Sequence, residues 1–253
     1  MYKRQVQELF PGKSDWEIGE PVPKYFVSAK HDAGEEKIER YQVAAILKSI
    51  KIPKSVVKGD ITPTLVTKFS DILTIPLTDI FNQVIKQWEW PDLWRRETIV
   101  VIPKKSSPES LAECRNLSCT PLFSKALETI VLKRLKEETR FRASQYGGQK
   151  GCGADNFLVQ TWQEIVYGLE GDQACTNLIS LDFEKAFNRM AHRHCLVALR
   201  EHGASNFSIR MARAFLLERH MQVRIGDTLS PPENINGGSP QGSILGNYMF
   251  DLI

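Results

Sequence analysis

The chain has 253 residues, 42% of them hydrophobic and 25% charged, a balance that buries a sizeable core as one large or two small globular domains and excludes a chain kept unfolded by polarity. No apolar run approaches the roughly 18 residues that span a bilayer, and the opening MYKRQVQELF lacks the apolar centre of a secretory signal, so an intracellular protein of the nucleus or cytoplasm with no membrane partner is expected. Net charge is only +3, but residues 95–150 carry twelve Lys/Arg against six Asp/Glu. That local excess suits a polyanion, although LKRLKEETR mixes signs as a solvated helix face does.

In chain order, residues 1–35 are rich in Pro, Gly and charge and read as loop or linker. Helices begin after them. Val43, Ile46, Leu47 and Ile50 keep the i, i+3, i+4, i+7 spacing, as do Leu77, Ile80, Phe81, Val84, Ile85 and Trp88. Between these runs Thr62 and Pro63 form an N-cap and first-turn pair. ETIVVI (97–102) is a short β-rich run closed by Pro103, and further helices are expected over 123–139, 155–169, 191–202 (stopped by Gly203) and 205–219. MQVRIGD alternates Met221, Val223 and Ile225 against Gln222 and Arg224, the pattern of a half-buried strand entering a hairpin. The five cysteines are odd in number and contain no C-x-x-C pair, which fits reduced thiols.

The stretch that carries chemistry is TNLISLDFEKAF. Leu178, Ile179 and Leu181 predict a short buried strand with Asp182 at its end, a usual place for a metal ligand or acid-base group. A helix N-cap explains an Asp before FEKAF equally well. GGSPQGSILGNYMF (237–250) is a Gly-rich polar loop running into an apolar helix. It has the look of a phosphate loop but lacks the following Lys-Ser/Thr of a P-loop, so an NTPase is discounted.

The order of these segments resembles the reverse transcriptases of non-LTR (LINE-type) retrotransposons. WPDLWRRETIVVIPKK resembles the leading fingers segment, RNLSCTPLFSKALETIVLKRL the next block, QYGGQKGCGADNFLV the Q-x-G-x-x-x-G block, LDFEKAFNRMAHRHCL motif A and GGSPQGSILGNYMF motif B. PTLVTKFSDILTIPLTDIFNQVIKQW resembles the helical extension before the fingers, so the likeness covers about residues 40–253. It implies an α+β fold: right-hand polymerase fingers and an incomplete palm, helix-rich with a small antiparallel sheet. The implied organisation is a linker-rich segment over 1–35, a helical extension over 36–92 and a reverse transcriptase domain over 93–253.

The resemblance also implies roles. Asp182 bridges the Mg²⁺ ions of an in-line phosphoryl transfer, with the backbone carbonyl of Phe183 as a further ligand. Lys104 or Lys105, together with Arg115, holds the β- and γ-phosphates of a deoxynucleoside triphosphate. Phe187 lies beneath the sugar and collides with a 2′-OH, unless it is a core anchor. Gln241 and Gly242 meet the nucleotide; Gly238, Pro240 and Gln241 cradle the RNA template and DNA primer, with Arg95 and Arg96 on the nucleic-acid backbone. Asn188 and Asn247 depart from residues common in the family.

The family's motif C, a Tyr/Phe-x-Asp-Asp hairpin supplying the second essential carboxylate, is not found before Ile253. Glu201, Glu218, Asp227, Glu233 and Asp251 form no paired-carboxylate hairpin. The expectation is an RNA-directed DNA polymerase fragment that is inactive alone, the alternative being a non-enzymatic nucleic-acid-binding remnant of a retroelement.

Overall fold

The computed structural model describes residues 36–51, 61–107, 113–170, 175–183 and 186–253; the linker expected over 1–35 lies outside them. Helix α1 (Arg40–Ser49) buries Val43 and Leu47, and the amide of Glu39 before it donates to Gln42 Oε1 at 2.8 Å. Helix α2 (Pro63–Lys68) opens on the expected pair, with Leu65 N–H reaching Thr62 Oγ1 at 3.4 Å. Helix α3 (Ser70–Gln87) begins a full turn or more before its apolar period and runs through Pro76. An interior proline costs about 3 kcal/mol. The buried face of Leu77, Phe81, Val84 and Ile85 outweighs it, at about 1.5–3 kcal/mol for each fully buried side chain. The helix stops at Trp88, whose left-handed backbone (φ 56°) is held by its ring packing edge-on against Phe207 at 5.6 Å.

After a single turn, α4 (Asp92–Arg95), the chain enters strand β1 (Arg96–Pro103) and returns antiparallel as β2 (Cys114–Cys119). The helical layer follows: α5 (Leu122–Glu138), α6 (Ala154–Glu170), α7 (Ala186–Arg189), α8 (His192–Glu201) and α9 (Asn206–Leu216). Gly203 ends α8 as expected, at φ +95°, and Ser205 caps α9. Strand β3 (Arg219–Ile225) then lies parallel to β1, with Glu97 opposite Met221 and Ile99 opposite Val223. Its other edge is shared by β4 (Thr228–Leu229) and β5 (Glu233–Ile235), both antiparallel, and α10 (Ile244–Leu252) closes the chain.

Two expectations are corrected. The sheet is mixed, not antiparallel, because the long helical crossover between β2 and β3 brings β3 back in the direction of β1. The strand expected at 178–181 is not formed: residues 175–183 carry no strand, and Leu178, Ile179 and Leu181 are 68%, 81% and 89% exposed. A strand is stable only beside a ladder that satisfies its amides and carbonyls, and no described segment pairs with this one. Helix α6 forms where expected but buries no residue.

One apolar cluster runs from Ile38 in front of α1, through Phe81, Trp90, Leu127, Leu135 and Phe215, to Leu252 in α10. A smaller one, built on Ile99, Met221, Val223 and Ile235, lines the inner face of the sheet. Where the two meet, three charged side chains are buried: Glu97 and Arg219 are each 2% exposed and Glu128 is 0% exposed. Arg219 lies over the Phe215 ring, donates from Nη1 to the Phe215 carbonyl at 3.2 Å and places Nη2 3.8 Å from Glu97 Oε2.

With two carboxyls facing one guanidinium, burial outweighs Arg219 at Glu97 and pushes that carboxyl up to about 7; Glu128 repels its anion as well. The folded chain therefore holds a proton that the unfolded chain loses near the ordinary value of 4.5, and stability falls as pH rises between the two. Glu97→Gln cannot release that proton. Urea midpoints measured from about pH 5.5 to about pH 7.5 should decline in the wild type and decline less in Glu97→Gln; equal slopes would show that Glu97 is not the source of the dependence.

Candidate functional site

The loop at 237–243 has no regular structure of its own and is held by three other elements. The Gly238 amide donates to the Met190 carbonyl at 2.8 Å and the Ser239 amide to the Phe187 carbonyl at 2.9 Å, which ties the loop to the segment following Asp182. His192 Nε2 donates to the Gly238 carbonyl at 2.8 Å; burial keeps this imidazole's pKa below the ordinary value, consistent with a neutral ring. On the other side the Ser118 amide of β2 donates to the Gln241 carbonyl at 3.1 Å. Gly238 (φ +75°) is required here, because a Cβ would stand 2.7 Å from the Asn188 carbonyl oxygen. Gly242 (φ +117°) passes close to the Ser118 carbonyl. Pro240 is buried beneath the loop, while Gln241 and Gly242 are exposed at its tip.

Phe187, in α7, is half-buried with its ring 5.0 Å from that of Phe250 in α10. Five residues earlier Asp182 lies on the exposed segment without a strand, where its Oδ1 accepts the Phe183 amide at 2.9 Å. Phe183 is 78% exposed. A hard divalent cation is held by several oxygens. The described residues bring one carboxylate and one adjoining carbonyl, and among them no group of three His, Cys, Asp or Glu side chains could hold a metal ion. That donor set does not fit a two-ion centre.

The β1–β2 hairpin carries the expected phosphate ligands. The Lys104 amide donates to the Glu113 carbonyl at 2.8 Å, and Lys105 Nζ pairs with Glu113 Oε1 at 2.7 Å. Arg115 stands opposite Ile102 in the ladder, its side chain outside the described residues. Arg95 and Arg96 differ. Arg95 is engaged by Asp92 at 2.6 Å and by Glu218, while Arg96 is exposed at the start of β1.

The other acidic residues serve elsewhere. Glu218 pairs with Arg95, and Asp251 packs so tightly on Gly148 of the Q-x-G block that a Cβ there would overlap its carboxylate. Burial raises the Asp251 pKa against the pull of Lys136. A cavity of about 610 Å³ opens between α1 and α5, lined by Tyr41, Lys133, Arg134 and Phe207, and contains none of the residues to which the resemblance assigns a role.

Glu128, Ser118 and His192 hold the loop, yet motif reading does not single them out. For Glu128 a signal exists. Ser124, Glu128, Val131 and Leu135 share the buried face of α5, and a carboxylate on an apolar stripe needs partners.

Comparison with known proteins bears on the family. The family model described as reverse transcriptase (RNA-dependent DNA polymerase) matches residues 102–253. The chain is 22% identical to the probable RNA-directed DNA polymerase from transposon BS of Drosophila melanogaster, over 83% of this chain and 24% of the relative. It is 25% identical to the probable RNA-directed DNA polymerase from transposon X-element of the same species, over 70% of this chain and 20% of the relative. To the RNA-directed DNA polymerase from mobile element jockey it is 26% identical, over 68% and 19%. The chain thus spans about a quarter or less of the length of these curated relatives. Because the family model covers more than half of it, through the hairpin, the Asp182 segment and the seated loop, the chain belongs to the reverse transcriptase (RNA-dependent DNA polymerase) family.

Proposed function

We propose that this chain is the template- and nucleotide-binding part of a retrotransposon RNA-directed DNA polymerase, acting on an RNA template, a DNA primer and deoxynucleoside triphosphates. The observation that carries the reading is the seating of the 237–243 loop on both the Phe187 segment and β2, through Ser239 to Phe187 and Ser118 to Gln241. Three segments far apart in sequence thereby share one neighbourhood. Gln241 presents its amide to the nascent base pair, and Phe187 limits the space for a 2′-OH. On the hairpin, Lys104, Lys105 and Arg115 receive phosphates, Lys105 by exchanging Glu113 for a stronger anion. Arg96 meets the nucleic-acid backbone more readily than Arg95, whose guanidinium already serves Asp92 and Glu218.

A divalent ion such as Mg²⁺ would supply charge neutralisation for phosphoryl transfer, and Asp182 and the Phe183 carbonyl would be among the groups that hold it. A second carboxylate beyond those the described residues gather is needed for that chemistry, so the contribution of the described residues is binding and orientation. Primer extension on poly(rA)/oligo(dT) with Mg²⁺ tests this. Incorporation by the chain should not exceed that of Asp182→Asn, whereas fusion to the segment following the matched region in the jockey polymerase should restore incorporation that Asp182→Asn abolishes. Binding without incorporation by the fused protein would favour the non-enzymatic reading.

The logarithm of the affinity for the same hybrid should fall linearly with the logarithm of salt concentration, and Arg96→Ala should lower both affinity and slope, the slope by about 1. In the fused protein Phe187→Ala should admit ribonucleotides while keeping most deoxynucleotide addition. An unchanged ribo/deoxy ratio with lowered stability would make Phe187 a packing partner of Phe250 alone.

A further inference from the structure

Helix α10 begins at the foot of the 237–243 loop, and its first amides are satisfied from two directions. Ser243 caps it locally, accepting the Gly246 amide at 3.0 Å. The two amides before that are taken by a residue of another helix: Glu128 Oε2 accepts from Ile244 N–H at 2.8 Å and from Leu245 N–H at 3.3 Å. Glu128 is itself oriented from behind. Trp90 Nε1–H donates to Ser124 Oγ at 3.0 Å, and Ser124 Oγ–H donates to Glu128 Oε1 at 3.3 Å. All three side chains are fully buried.

The direction of this chain of hydrogen bonds is set by chemistry. An indole nitrogen only donates, so the serine oxygen accepts from it and passes its own proton on to the carboxylate. Glu128 then accepts at both oxygens, and its charge faces the partial positive charge at the start of α10. A glutamine there either turns its NH2 toward the helix amides, opposing donor with donor, or keeps its oxygen on them and forces the Ser124 hydroxyl to rotate and accept, and in both cases it brings no charge to the start of α10.

We propose that Glu128 is a positioning residue, fixing the 237–243 loop for nucleotide binding by capping α10 from outside it. This rests on the polymerase reading for the nucleotide, but not for the loop. At the end where the loop enters α10, Glu128 holds the first two helix amides, while further along Tyr248 meets Thr139 at the end of α5 at 2.6 Å; the loop's own anchors come from β2 and from the segment around α7 and α8. Removing the charge therefore releases the C-terminal end of the loop, next to Gln241, while Gly238 and Ser239 stay attached.

The test uses the full chain as wild type, Glu128→Gln and Ser124→Ala, the last a milder lesion in case the first fails to fold. Amide hydrogen exchange is followed over 237–246 and over α1 and α3. The affinity of dTTP with Mg²⁺ is measured in the presence of poly(rA)/oligo(dT). In Glu128→Gln the amides of 241–245 should exchange at least about tenfold faster while α1 and α3 are unchanged, with a smaller effect in Ser124→Ala. The dTTP affinity should fall about tenfold with hybrid affinity unchanged, a split that a general loss of stability would not produce. Unchanged exchange over 241–245, or equal acceleration throughout the chain, overturns the positioning role. If the wild type binds the hybrid but no dTTP, the nucleotide part of the proposal and of the polymerase reading falls, and the exchange contrast still decides whether Glu128 holds the loop.

Discussion

The structure depends on a cluster of three buried ionisable side chains, one guanidinium between two carboxyls, at the junction of its two layers. Glu97 comes from β1, Arg219 from β3 and Glu128 from α5, and Arg219 also binds the last turn of α9 through the Phe215 carbonyl and ring. Removing one partner of such a group typically costs about 3–5 kcal/mol, because the charge left behind stays buried. Well-packed apolar side chains could match its stability, so its contribution is geometric: an ionic cluster satisfies itself in few arrangements. Sheet and helical layer are thereby set in one register. The Arg219 Nε and Nη2 atoms and Glu97 Oε2 have no hydrogen-bond partner among the described residues, so the two side chains meet at 3.8 Å without a hydrogen bond.

The functional loop inherits its position from that register. Glu128 faces Arg219 on one side and the first amides of α10 on the other, so the junction that sets the sheet against the helices also sets where the loop ends. Burial raises the Glu128 pKa, opposed by Arg219, by the two amides and by Lys125. A loop without regular structure is thus held at both ends and at its tip by backbone hydrogen bonds. This is the preorganisation that a binding surface of small, polar residues needs, since Gly and Ser bring little packing of their own.

Much of this was legible in the sequence, and the legible part is local. Thr62–Pro63, Ser205 and Gly203 mark helix ends that depend on a few neighbouring residues, and the alternation of Met221 and Val223 predicts β3 because strand faces follow a period of two. What could not be read is set by distant partners. The parallel pairing of β1 with β3 follows from a crossover of about a hundred residues, and no local pattern states which edge β3 will join. Leu178, Ile179 and Leu181 read as a strand from composition alone, yet a strand also requires a neighbour, which the described chain does not give it. At the site, a Gly-rich loop running into an apolar helix was readable from the motif. The supporting Glu128 was visible only as an anomaly, an acid on an apolar stripe.

These two kinds of order divide the site itself. From Phe187 onward the backbone is tied to the loop by carbonyls that accept Gly238 and Ser239, and Phe187 is packed against Phe250. Asp182, only five residues away, has its Oδ1 hydrogen bond with the next amide of its own exposed segment. A carboxylate so placed costs nothing to desolvate and gains no fixed direction, whereas in-line phosphoryl transfer depends on direction above all. The apolar side chains that flank it point to the same deficit: Leu178, Ile179 and Leu181 before it, and Phe157, Trp162 and Tyr167 along α6, are all exposed. Covering Leu178, Ile179 and Leu181 and giving 178–181 a ladder would be one event, because those side chains and the backbone amides belong to the same residues. Orientation of Asp182 is therefore coupled to burial of this apolar surface, while the nucleotide side of the site is assembled without it.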